Sequence, residues 1–162
     1  MRRALRDPPG GARRVACVRA MKALAIEHAG TLANLPHFLH FIDDVCARID
    51  VDDETRYALR LAVEEVCTNL IVYGYRNRAA GPIQVAAHDQ SDRVTLVICD
   101  RSPPFDPKDA PPPDTTSDIE HRKSGGLGWH LVKKLMDEID YAAGTPSGNV
   151  LTLVKHKTHI RT

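Results

Sequence analysis

With 162 residues, 43% apolar and 27% charged, the chain is long enough for one sizeable core and is ordinary in composition for a globular domain. A net charge near +1 argues against a nucleic-acid or membrane-surface binder, and an aromatic content of 5% argues against a stacking platform for single strands. No run reaches the roughly 18 apolar residues that cross a bilayer, and the four cysteines (Cys17, Cys46, Cys67, Cys99) form no CxxC or metal-ligand pair, so a reduced, cytoplasmic setting is expected.

Residues 1–20 contain Arg2, Arg3, Arg6, Arg13, Arg14 and Arg19 around a Pro8-Pro9-Gly10-Gly11 stretch. A secretory signal needs an apolar segment behind its basic start, and none follows. The segment reads as a disordered basic tail, or as the result of a start set upstream of Met21. Met21–His28 then reads as a strand. Leu35, Phe38, Leu39, Ile42, Val45, Cys46 and Ile49 recur at helical spacing. Asn34 is the expected N-cap of that helix, and Pro36 suits its first turn.

A second helix is expected after Val51. Asp52, Asp53 and Glu54 stand at its positive end, and Leu59, Ala62, Val63, Val66 and Leu70 form its apolar side up to Gly74. Ile83–His88 and Arg93–Asp100 read as two strands of a hairpin linked through Asp89–Asp92. Periodicity disappears from Arg101 to Lys123, where prolines and acids make a long loop of the kind that often serves as a lid. Behind Ser124, a third helix is expected from Leu127, Leu131, Leu135 and Ile139 at period four. Gly144–Asn149 then reads as a turn and Val150–Lys155 as a closing strand. This order of elements predicts a two-layer α/β sandwich.

Three places carry chemistry. Glu65 and Asn69 are four residues apart, so they share a helix face inside an apolar segment, either solvated or employed. Asp100 ends the apolar run Val94–Cys99, as a turn cap or as a buried carboxylate that accepts from a ligand amine. Gly125, Gly126 and Gly128 open the third helix, as a structural entry or as backbone N–H groups for an anion. His37, His40, His121 and His130 have no metal-binding spacing and are expected in surface or packing roles.

Taken together, the three places resemble the GHKL, or Bergerat-fold, ATPases. The N box ExxxN is matched by Glu65-Val66-Cys67-Thr68-Asn69, the aspartate at a strand end by Asp100, and the glycine box after a lid by Gly125-Gly126-Leu127-Gly128. VEEVCTNLIVYGY (63–75), DRSPPFDP (100–107), GGLGWHLVKKLMDEIDY (125–141) and NVLTLVK (149–155) look like the RsbW-type anti-sigma factor serine kinases in particular. One departure stands out: Ser102 occupies the usual glycine of the DxG box.

The resemblance implies a mixed, mostly antiparallel sheet covered on one face by helices. It implies an ATPase domain over 21–157, an ATP lid at about 101–124 and a tail at 158–162. It implies ATP and Mg²⁺, with Asn69 ligating the metal and Asp100 taking the adenine amino group. Gly125, Gly126, Leu127 and Gly128 would stand at the phosphates, with Arg122 and Lys123 near the γ-phosphate and Glu65 as general base. The implied activity is that of a protein serine/threonine kinase acting on a STAS-domain anti-sigma antagonist. Its partner-switching system would also involve a sigma factor and a PP2C-type phosphatase, with a homodimer and no direct nucleic-acid or membrane contact. The alternative is an ATP-gated binding module without productive transfer. At this length a complete sensor histidine kinase is not expected.

Overall fold

Period-two apolar alternation builds the sheet, and period 3.6 builds the layer that covers it. The computed structural model describes residues 24–106 and 126–158. Strand β1 (Leu24–Ala29) and a short 3-10 turn lead into helix α1 (Leu35–Arg48) and then helix α2 (Asp53–Asn69). A π-helical turn (Leu70–Gly74) continues α2. Strands β2 (Pro82–Asp89) and β3 (Arg93–Asp100), helix α3 (Gly126–Leu135), and strands β4 (Glu138–Thr145) and β5 (Gly148–His156) complete the order.

The five strands run β1-β2-β3-β5-β4 across the sheet, and each of the four pairings is antiparallel. Ile83, Val85, Leu96, Ile98 and Leu153 point to one face, where they meet Phe38 and Ile42 of α1, Leu59 and Val63 of α2, and Val132 of α3. All of these are fully or almost fully buried. A second, smaller cluster of Ala86, Val97 and Val150, joined by Cys99, lies on the opposite face. No described helix is long and apolar enough to cross a membrane.

Two expectations need correction. Asn34 stands at the N-cap position of α1, but its side chain does not cap; its Nδ2 donates to the Ala29 carbonyl at 2.9 Å and ties the helix entry to the end of β1. The third helix also stops at Leu135, four residues short of Ile139, and a fifth strand follows that was not foreseen. Met136 still donates to Val132 O, but Asp137 N turns to Val154 O, and Ile139 pairs with Leu153 across the sheet. Ile139 satisfies period four from Leu135 and period two with Tyr141 alike, and sheet pairing decides between them. The β4–β5 turn is tight, with Gly148 at φ +95°.

Asp52 does cap α2: its Oδ1 accepts from Thr55 N at 2.6 Å, and that bond holds the Asp52 carboxyl below the usual carboxylate range. Asp52→Ala is expected to cost about 1 kcal/mol. Because the folded pKa is depressed, the contribution is present above the unfolded pKa and disappears as pH falls through the folded one. Urea unfolding of both proteins at neutral and acid pH checks this: the gap between them narrows in acid.

Candidate functional site

Helix α2 presents two adjacent carboxylates and uses them differently. Glu64 pairs with Arg60 at 3.4 Å on the outer side of the helix. Glu65 is half-buried, has no hydrogen-bond or ion-pair partner among the described residues, and faces the start of α3. The contact is intimate: a Cβ added at Gly128 would fall on the Glu65 carboxylate. Burial, and then the charge of Glu64, push the Glu65 carboxyl above its ordinary range. A partly desolvated carboxylate with no partner among the described residues, set against a helix N-terminal turn, is a candidate proton acceptor.

Asn69 follows one turn later, at the junction with the π turn, and its amide makes no hydrogen bond among the described residues. Single π turns inside helices recur at functional sites because they re-aim the residues beside them. The side-chain oxygen of Asn69 is a hard donor of the kind Mg²⁺ takes, and nothing described competes for it. Cys67, on the buried side of the same segment, has its thiol pushed up to about 12 by burial, so it takes no part in chemistry.

At the other end of the site, Asp100 is the last residue of β3 and is buried. Its Oδ1 accepts from Ser102 N at 2.8 Å, Ser102 Oγ at 2.5 Å and Asn149 Nδ2 at 3.1 Å. The Ser102 hydroxyl turns back onto the carboxylate. Space for it comes from Gly74, where a Cβ would lie 3.0 Å from Ser102 Oγ. Asn149 opens the buried stretch of β5 directly across from Asp100. Gly148 lets it come so close, since a Cβ there would strike the Asp100 carbonyl.

Two tyrosines steady the chain that leaves β3. Tyr75 is wedged between Gly30 and Gly81, where a Cβ would lie 2.8 Å and 2.6 Å from its ring. Its hydroxyl donates to Pro82 O and accepts from Arg101 N, at 2.8 and 2.9 Å. Tyr141 of β4 accepts from Phe105 N at 2.9 Å. Burial pushes both phenols up, so each keeps its proton.

The α2–π-turn segment is thus the spine of the site: Glu65 touches Gly128, and Gly74 touches Ser102. Of the residues singled out in the sequence, Glu65, Asn69, Asp100 and Gly128 stand on this frame. Gly126 and Leu127 are the first two residues of α3. Gly125, Arg122 and Lys123 lie outside the described residues, as does most of the expected lid. Asn149, Tyr75, Tyr141, Gly74 and Gly148 went unassigned in the sequence. A lone amide at the start of an apolar strand was the one available signal for Asn149.

An acceptor carboxylate at a strand end, an amide and a carboxylate on one helix, and a helix start that carries two glycines are the polar groups that this fold assembles. A family model described as the histidine kinase-like ATPase domain matches residues 28–155. The chain belongs to that family. Within it, the chain is 29% identical over 120 residues to the serine-protein kinase RsbW of Bacillus pumilus, a match that takes in 70% of this chain and 73% of the relative. The RsbW protein of Bacillus velezensis is 28% identical over 111 residues, covering 66% of this chain and 65% of that protein, just under two thirds of its length. Among solved structures, the RsbU and RsbW domains of a Mycobacterium tuberculosis protein superpose on 85% of this chain with a TM-score of 0.59. They share 19% identity, and the match covers 32% of that chain, so this likeness speaks for the fold alone. The histidine kinase-like ATPase fold is therefore the scaffold on which the Glu65–Gly128 and Asp100–Asn149 contacts are built.

Proposed function

We propose that this histidine kinase-like ATPase domain is a protein serine kinase of the RsbW type, passing the γ-phosphoryl group of ATP to a serine of a STAS-domain antagonist. The observation that carries the reading is the seat of Glu65. A nucleotide binder needs no half-buried carboxylate against the phosphate-side helix, whereas phosphoryl transfer to a hydroxyl needs an acceptor for its proton. Asp100 would take the adenine amino group, and the backbone of Gly126 and Gly128 would face the phosphates. Gly125, Arg122 and Lys123 belong to the same proposal.

Asn69 would hold Mg²⁺, which when bound offsets the negative charge of the phosphates. Glu65 would accept the proton of the attacking serine, its carboxylate held half out of water against Gly128. The domain would run over 21–157, with residues 1–20 and 158–162 outside it and a lid at about 101–124. A sigma factor, a PP2C-type phosphatase and a second copy of the chain are the further partners of such a system.

The test is radiolabel transfer from ATP to a STAS-domain protein, paired with melting in Mg-ATP. Nucleotide at a hundredfold excess over its Kd should raise Tm by about 5–10 °C, and label should appear on a serine of the STAS domain. Melting unmoved at millimolar nucleotide would sink the site. A clear shift without transfer would replace the kinase by an ATP-gated binding module.

A further inference from the structure

The donors that converge on Asp100 come from two side chains and one backbone group, and they fill one oxygen. Oδ1 accepts from Ser102 N, Ser102 Oγ and Asn149 Nδ2 at 2.8, 2.5 and 3.1 Å, while Oδ2 has no partner among the described residues. Asn149 is itself locked. Its Nδ2 also donates to Ser102 O at 2.8 Å, so both amide hydrogens are used. Flipping the amide would set its oxygen against the Asp100 carboxylate and the Ser102 carbonyl at once, two acceptors with no proton between them. All three residues are buried, at 7%, 8% and 3% exposure for Asp100, Ser102 and Asn149, so water does not replace a lost donor freely.

We infer that Asn149 and Ser102 are positioning residues that set the base specificity of the site. By saturating Oδ1 they leave Asp100 one outward oxygen that only accepts. Such an oxygen takes a 6-amino purine and turns away a 6-oxo purine, whose oxygen would meet it lone pair to lone pair. Without the clamp the carboxyl group is free to turn about its own bond, and the 6-oxo base is no longer turned away. The inference rests on the ATP reading above and deepens it: the selecting element is a three-residue device, and the aspartate alone does not discriminate.

The experiment is competition binding of ATP, GTP and ITP to the full chain. ITP carries the 6-oxo group without the 2-amino group of GTP and so isolates the contact at issue. The wild type should prefer ATP to ITP by about 100-fold or more. Asn149→Ala should cut that ratio about tenfold, a loss of about one charged hydrogen bond. Ser102→Gly, which keeps the backbone donor, should cut it less. Should Asn149→Ala not fold, Ser102→Gly carries the test, since a bend accepts glycine without strain. A merely structural role predicts that ATP and ITP weaken together, and an unchanged ratio in the variants overturns the inference. A wild type that binds ATP and ITP alike also overturns it while leaving the ATP site standing. A wild type that binds no nucleotide removes both.

Discussion

Glu65→Gln is expected to lower phosphoryl transfer by about 10²–10⁴-fold while leaving ATP affinity within a few-fold of wild type. Glutamine keeps the shape and loses the acceptor for the serine proton. The pH profile gives a second readout. Burial raises the folded pKa of Glu65, so transfer by the wild type should rise with pH through a value above the ordinary carboxylate range, and the variant should lack that limb. Stability should move the other way. A carboxyl with a raised folded pKa favours the fold fully below its unfolded pKa and loses that contribution as pH climbs through the folded one. At neutral pH the ionised Glu65 is therefore a strain that glutamine relieves, and the variant should melt at the same temperature or higher. Full transfer activity in Glu65→Gln would remove Glu65 from the chemistry.

Gly128→Ala should uncouple activity from stability in the same sense. The new methyl group would land on the Glu65 carboxylate, the far end of a flexible side chain, which can swing away at small cost. Alanine meanwhile favours the helix over glycine by about 1 kcal/mol. The expected result is an unchanged or raised Tm with transfer reduced about 100-fold, because the displaced carboxylate no longer meets the serine proton. The double variant with Glu65→Gln should be no slower than the worse single one, since both changes remove the same function. Additive losses would mean that Gly128 acts on something other than Glu65, the phosphates being the first place to look.

Much of this site was legible as residue types at fixed spacings. Glu65 and Asn69 fall on one helix face by arithmetic, Asp100 interrupts an apolar strand, and Gly128 stands at a helix start. The helices α1 and α2 and the β2–β3 hairpin followed from local periodicity. What escaped depends on pairing between distant segments. Asn149 becomes meaningful only when β5 lies beside β3, forty-nine residues from Asp100. Gly74 is informative only beside Ser102, whose hydroxyl lies on the Asp100 carboxylate. Ile139 was assigned to a helix because one position satisfied two periods, and the hydrogen bond from Asp137 N to Val154 O is not a property of either neighbour in sequence.

The strand order carries a consequence for when the Asp100 end of the site is assembled. β5 is the last of the five strands in the chain, yet it lies inside the sheet, between β3 and β4. Until it docks, β3 presents an open edge of unpaired backbone groups, and Asp100 lacks Asn149. A chain in which only β1–β3, α1 and α2 are in place lacks the Asn149–Asp100 contact. On the ATP reading proposed above, the Asp100 end of the site is completed with non-local contacts, the kind that are slowest to form.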